Sequence, residues 1–285
     1  MRMIESTRIT YPGGATHGQS RVLHCEERDG RLLVVTEETP FHPLDHLWPD
    51  QPADRGFLDD LPVLDVLTGA VRQGEDTLYL GRDIPARRGE EGWSYLVVHV
   101  VEMASDVSGA TLDLRVDATY RRQLCAVHTA CHLMSIALNQ VTAELWTKEP
   151  PRDSLGNPNL DKKAIASSTI SDRESLDHYR FGKSLRKEGF EAAAFLDRLP
   201  EVAASINATV AGWLTTGGDV TIDPPVTALD ARRLWRAALA PGIVVEIPCG
   251  GTHLASLQDL AAVSVAIERH PDQPEITVRT TASLR

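Results

Sequence analysis

Asp117-Ala-Thr-Tyr-Arg-Arg-Gln-Leu-Cys-Ala-Val-His-Thr-Ala-Cys-His-Leu-Met-Ser-Ile-Ala-Leu-Asn-Gln-Val-Thr-Ala-Glu-Leu145 carries the most regular pattern in the chain. Leu124, Val127, Cys131, Met134, Leu138, Val141 and Leu145 recur at spacings of three and four. That spacing lines one face of a helix. Asp117 is a suitable N-cap, since its carboxylate can accept from the first free backbone amides. The pattern predicts one long amphipathic helix over 118–146, directly after a strand over 111–116.

To the N-terminal side the chain reads as short strands between turn clusters. Strands are expected at 31–36, 77–80 and 93–101, with turn residues in Trp48-Pro-Asp-Gln-Pro-Ala-Asp-Arg-Gly56. To the C-terminal side, 147–175 reads as a loop. Helices are expected at 187–198 and 200–214, with a short one near 228–239. Strands are expected at 243–247, 263–268 and 275–280. The fold class is therefore α+β. A small β-barrel-like domain is expected over 1–105. Over 106–285 an α/β sandwich is expected, with an antiparallel sheet and the long helix. Within it, 147–187 forms a loop or insertion.

The chain has 285 residues and a formal net charge of −11, with 42% hydrophobic and 24% charged residues. Such a composition excludes a disordered chain and suits a globular one of one or two domains. The acid is unevenly spread. Residues 1–105 hold 10 basic and 18 acidic side chains, whereas 148–187 hold 9 basic and 6 acidic. All five lysines fall in that second stretch. An acidic total argues against a surface that grips nucleic acid everywhere, but leaves room for one local basic patch. Four cysteines make no disulfide scaffold and suggest thiols or ligands in a reducing compartment. No signal peptide and no membrane span is expected, which makes the cytoplasm the expected location.

Two short motifs carry chemistry. His128-Thr-Ala-Cys-His132 places two imidazoles one helical turn apart. Cys249-Gly-Gly-Thr-His253 follows a strand and a proline, and its glycines let a thiolate and an imidazole converge. Three imidazoles and one thiolate form a borderline-soft set suited to Zn2+. One His-x3-His pair is weak evidence alone, because roughly a third of a pair is expected by chance from ten histidines. His42 and His46 make the point: they share the spacing, but Pro43 argues against a helix there. Thr129 stands where a zincin needs glutamate, and Pro248-Cys249 lacks the second cysteine of a nucleic-acid deaminase.

These motifs, in this order, resemble the editing domain of alanyl-tRNA synthetase and its free-standing relatives, the AlaX-type alanyl-tRNA editing proteins. The threonyl-tRNA synthetase editing domain shares part of the pattern. Gln51-Pro-Ala-Asp-Arg-Gly56 resembles the end of the family's Gly-Gly-Gly-Gln-Pro-x-Asp-x-Gly motif, and Thr39-Pro-Phe-His-Pro43 resembles its Thr-Pro-Phe-Tyr-Pro run. The Arg122…His128-Thr-Ala130 context also agrees. The family's glycines are here Trp48, Pro49 and Asp50, and His42 stands where tyrosine is usual.

The resemblance implies a zinc-dependent hydrolase that deacylates mischarged tRNA in trans, with Ser- or Gly-tRNA(Ala) as substrate. It implies His128, His132, Cys249 and His253 as metal ligands. Gln51 is then expected to contact substrate or water, with Thr129 and Thr252 lining the amino-acid pocket. Asp54 would fix the turn that presents Gln51, and Gly250 and Gly251 would let substrate approach. For the tRNA acceptor end, Arg180, Lys183, Arg186 and Lys187 are the expected contacts, with Tyr179, Phe181 and Phe190 interleaved for stacking. No membrane partner is expected, and the oligomeric state is open. Two other readings stay open from the residues: a metal-dependent hydrolase of a small ester or amide, and a non-catalytic zinc-stabilised binding protein.

Overall fold

A computed structural model of the chain describes residues 4–103 and 107–285. In chain order, β1 (Arg8–Ile9), β2 (His17–Arg28), β3 (Arg31–Thr36) and β4 (Glu38–Thr39) come first. β5 (Gly56–Leu58), β6 (Leu61–Arg72), β7 (Leu78–Leu80), β8 (Trp93–Glu102) and β9 (Thr111–Val116) follow. Then come α1 (Ala118–Val141), α2 (Leu160–Ala164), β10 (Ile165–Ile170) and β11 (Glu174–Arg180). α3 (Lys183–Lys187), α4 (Ala192–Leu196), α5 (Leu199–Thr216) and β12 (Val220–Asp223) lead to the last strands. These are β13 (Leu234–Ala240), β14 (Ile243–Pro248), β15 (Leu260–Arg269) and β16 (Glu275–Leu284).

The chain divides into two compact units. The first takes Met1–Arg122, Ile222–Arg233 and Cys249–Thr252. Its main sheet is antiparallel, seven-stranded, in the order β5-β9-β2-β3-β8-β6-β7, and β5 also pairs with β6. β3 shows how this unit is built. Leu32 and Val34 join one apolar cluster with Phe41, Val66 and Leu114, while Leu33 and Val35 join another with Leu96 and Val98. Side chains alternate across a strand, so β3 buries both faces, and its unbroken apolar run follows from that. Gly56 ends the Gln-Pro-x-Asp-x-Gly run for a packing reason: a Cβ there would lie 2.0 Å from the Arg115 carbonyl oxygen.

The second unit takes Gln123–Thr221, Leu234–Pro248 and His253–Arg285. Its four-stranded sheet runs β10-β11-β16-β15, and β13 pairs with β14 in a smaller sheet. The side chain of Asn207 on α5 both donates to and accepts from the Val265 backbone of β15, each at 2.8 Å. α1 lies against the four-stranded sheet through Cys131, whose thiol donates to the Asp177 carboxylate of β11 at 3.5 Å. The molecule is thus a mixed α and β fold with a large antiparallel sheet and one long core helix.

Strands expected at 31–36 and 111–116 form as read, and those at 93–101, 243–247, 263–268 and 275–280 form with longer ends. The long helix starts where expected, with Asp117 Oδ1 accepting from the Thr119 and Tyr120 amides at 3.0 Å. It stops at Val141 rather than 146. Thr142 turns its hydroxyl back onto the Leu138 carbonyl at 2.7 Å, and a 3-10 turn takes Ala143–Leu145. Against expectation, one segment among the described residues is long and apolar enough to cross a membrane, by length and composition: α1. Its apolar window is 83% buried inside the fold, which accounts for its hydropathy as that of a core helix.

Three expectations are corrected. The helix near 228–239 is the strand β13, with Trp235, Ala237 and Leu239 buried in alternation. Alanine, leucine and arginine favour helix locally, but β14 pairing and burial override that preference. The stretch 187–198 holds two short helices, because Gly189 adopts φ +100° and sits where a Cβ would press on the Lys148 backbone. The loop 147–175 contains α2, β10 and the start of β11. β10 is an edge strand whose Ser167 and Thr169 are exposed while Ser168 hydrogen-bonds the buried Asp177 carboxylate, so its Ser-Ser-Thr run reads as polar coil.

Candidate metal centre

α1 sets His128 and His132 one turn apart on one face, with ring centroids 4.7 Å apart. The turn after β14 brings in His253, at 4.2 Å from the His128 ring and 4.9 Å from His132. Each of the three imidazoles and the Cys249 thiol offers one ligand atom, and these atoms all lie within 4.8 Å of one another. Trp235 of β13 stands beside the His132 ring at 5.0 Å and the His253 ring at 5.8 Å, and gives the cluster an apolar wall.

The donor set could hold a metal ion. His132 Nε2 is buried without a hydrogen-bond partner, as a nitrogen reserved for a ligand bond would be. Burial lowers the His132 pKa to about 3, so the ring is neutral and its lone pair is available. Burial, and next the Asp50 carboxylate, push the Cys249 thiol up to about 12. Without a cation the thiolate is unstable there; a divalent charge reverses that balance.

The loop that carries Cys249 and His253 is pinned from several sides. Thr252 N donates to Gln51 Oε1 at 3.0 Å, and Gln51 Nε2 donates to Thr252 Oγ1 at 2.8 Å. Both residues are buried. Thr129 Oγ1 accepts from Leu254 N at 3.2 Å and lies 3.4 Å from His253 Nδ1. The Cys249 amide donates to the Arg233 carbonyl at 3.1 Å, and Gly251 N approaches the Cys249 sulfur at 3.4 Å. So the structure brings Gln51, Thr129 and Thr252 onto the ligand loop, with the Gln51 amide engaged at both ends by Thr252.

Asp54 is fully enclosed. It accepts from Arg121 Nε at 2.7 Å and from a second guanidinium nitrogen, and also from the His42 amide. Arg121 further donates to the Pro40 carbonyl at 2.9 Å. The Gln-Pro-x-Asp-x-Gly and Thr-Pro-Phe-His-Pro segments are thereby tied together by one buried guanidinium. The sequence pattern pointed to Arg122, whereas the structural role falls to Arg121. The signal was present: Arg121 stands seven residues before His128, on the same helical stripe.

His42 and His46 are outside the four-residue metal group among the described residues. Cys131 is buried on the helix stripe, as expected, and its polar contact is with Asp177. The basic cluster divides. Lys183, Arg186 and Lys187 are exposed on α3, and Arg180 is exposed and paired with Glu275 at 2.7 Å. Tyr179, Phe181 and Phe190 are at most 3% exposed, and Phe181, Phe190 and Phe195 pack on one another. These aromatics are core residues whose faces are covered, so they do not stack on bases, which corrects that expectation.

No protein-family model matches the chain. The alanyl-tRNA editing protein AlaX-M of Pyrococcus horikoshii is 30% identical over 266 residues, which cover 92% of this chain and 91% of that protein. The alanine–tRNA ligase of Trichodesmium erythraeum is 22% identical over 88% of this chain, and that of Acaryochloris marina 22% over 83%. The chain spans only about a quarter of those ligases, 24% and 23% of their lengths.

Proposed function

The chain belongs to the family of AlaX-type alanyl-tRNA editing proteins, and on that footing we propose that it hydrolyses the ester of mischarged aminoacyl-tRNA, with Ser- or Gly-tRNA(Ala) as substrate. The observation that carries this reading is the convergence of four ligand atoms from His128, His132, Cys249 and His253. When bound there, zinc would supply Lewis acidity and lower the pKa of water towards neutrality.

The remaining chemistry falls to the chain's own groups. Gln51 and Thr252 hold the ligand loop in register, so that Cys249 and His253 keep their places. Thr129 couples the same loop to the helix that carries His128 and His132. The glycines of the loop leave its backbone open to an approaching ester, and Gly250 offers no Cβ to block it. A preorganised cluster of this kind supplies positioning without asking the side chains to move.

The decisive measurement is a deacylation panel with purified, zinc-loaded protein and Ser-, Gly- and Ala-tRNA(Ala). Ser- or Gly-tRNA(Ala) should lose its amino acid, while correctly charged Ala-tRNA(Ala) is spared. Bound zinc with every aminoacyl ester left intact would overturn the reading.

The exposed Lys183, Arg186 and Lys187 offer cations to the tRNA backbone. A lysine that neutralises one phosphate contributes roughly one unit to the logarithmic slope of binding against salt. Lys183→Ala with Lys187→Ala should therefore weaken tRNA binding and lower the slope by about two. An unchanged affinity and slope would remove α3 from the RNA interface.

A further inference from the structure

The turn that leads into Gln51 exposes two large apolar side chains in succession. Leu47 is 60% exposed and Trp48 44%. Trp93, Trp146 and Trp235 each pack against another ring of the protein. Trp48 instead keeps much of its surface in solvent.

This exposure does not come from a loose loop. Asp45 Oδ1 accepts from the Leu47 amide at 2.8 Å and from the Trp48 amide at 3.2 Å. The other carboxylate oxygen of Asp45 pairs with Arg88. The Trp48 carbonyl accepts from Asp50 N at 2.9 Å, and Pro49 between them has a fixed φ. The Gln51 amide then donates to Asp50 Oδ1 at 2.7 Å. The backbone that carries the indole is therefore ordered before any ligand arrives, and the side chain has only two torsions left to fix.

The turn and the ligand loop are neighbours within the first unit, which holds both 45–51 and Cys249–Thr252. Gln51 meets Thr252 through both ends of its amide, and Asp45 and His46 line one cleft with Gly250. Three residues of chain span at most about 10 Å. The Trp48 backbone thus stands within roughly that distance of Gln51, a reach comparable to one nucleoside. Charge narrows what can lie there. Asp45 and Asp50 flank the exposed pair in sequence, and their carboxylates disfavour a phosphate against the indole. A nucleobase is uncharged and has a π-face that stacks on an aromatic ring. A nucleoside esterified at its 3′ side is the last of its strand and carries a phosphate on one side only.

We propose that Trp48 is a stacking platform for the base of the 3′-terminal nucleoside of aminoacyl-tRNA, and so helps to bring the ester to the ligand loop. That role rests on the tRNA-deacylase reading. The family's motif has glycine at this position, which offers no ring; here Trp48 supplies one.

Binding measurements on two proteins and two RNAs test this. Wild-type and Trp48→Ala protein, both zinc-loaded, are titrated with uncharged tRNA(Ala) and with the same tRNA lacking its 3′-terminal nucleoside. Wild type should bind the intact tRNA at least about tenfold more tightly, as expected for one base on one aromatic ring. Trp48→Ala should bind both RNAs alike, with the wild-type affinity for the shortened one. Trp48→Phe should restore most of the preference. Metal content and unfolding temperature should stay at wild-type values in both variants, because the ring is exposed. A wild type indifferent to the terminal nucleoside, or a Trp48→Ala protein that keeps the wild-type preference, overturns the proposal.

Deacylation kinetics keep the two readings apart. On Ser-tRNA(Ala), Trp48→Ala should raise KM by about tenfold and leave kcat nearly unchanged, the signature of lost uniform binding. If the preference for the terminal nucleoside depends on Trp48 while no aminoacyl ester is hydrolysed, the platform stands and the deacylase reading fails. If esters are hydrolysed while that preference is indifferent to Trp48, the deacylase reading stands and the platform fails.

Discussion

Cys249→Ser and His132→Ala should each strip the protein of its metal. Affinity should fall by more than about 100-fold, the upper end of what removing a mere supporting partner of a ligand costs. Metal content after dialysis and a zinc titration report it directly. Deacylation should fall with the metal. Both side chains sit in the four-residue group, so neither loss should be made good by a neighbour. Retention of one metal equivalent in both variants would show that the cluster is not a metal centre.

Cys249 gives metal binding one pH dependence of its own. The Cys249 thiol, pushed up to about 12, carries its proton throughout the neutral range in metal-free protein. Metal binding must expel that proton, so affinity should rise about tenfold for each unit of rising pH. His132 titrates near 3, is already neutral above that, and adds nothing to the slope at neutral pH. Cys249→Ser should therefore reduce both the affinity and its pH slope. A wild-type affinity that falls with rising pH would contradict this assignment.

The second large effect should come from Asp54 and Arg121, whose side chains are 0% and 5% exposed. Arg121→Met leaves a buried carboxylate with the His42 amide but without its cation. Asp54→Ala leaves a buried guanidinium. Removing one partner of such a pair costs about 3–5 kcal/mol. In a chain of this size that corresponds to a fall of roughly 10 °C in unfolding temperature. Urea unfolding should show it. Arg72→Ala serves as the control, because the exposed Arg72–Glu75 pair should matter by less than about 1 kcal/mol. Equal effects of Arg121→Met and Arg72→Ala would mean that the buried pair does not hold the site's frame. Gln51, three residues from Asp54, should lose its register with Thr252 in the same variants, which joins stability to the metal loop.

The sequence alone determined the parts whose physics is local. The stripe from Leu124 to Leu138 has a helical period, and burial of that stripe realises the helix. Strands such as 31–36 and 111–116 are bounded by turns and rich in branched residues, so they were legible too. The convergence of the four side chains that could hold a metal was also legible, because one pair lies on a single helical turn and the other spans five residues of a glycine turn. Each pair converges through local geometry.

Tertiary structure decided what depended on partners distant in sequence. Leu234–Ala240 is helix-prone by composition and becomes a strand because β14 offers it a ladder and a buried face. β10 looks like coil because its run is polar, and only the fold supplies the β11 ladder and the buried Asp177 that Ser168 meets. Tyr179, Phe181 and Phe190 read as an RNA platform beside lysines, yet packing took them into the core. The Gln51 amide meets Thr252, 201 residues away, which offers it both a donor and an acceptor. Asp54 meets its cation 67 residues away. Composition and period report what a segment prefers by itself; only the folded chain supplies the partner that satisfies a buried charge or amide.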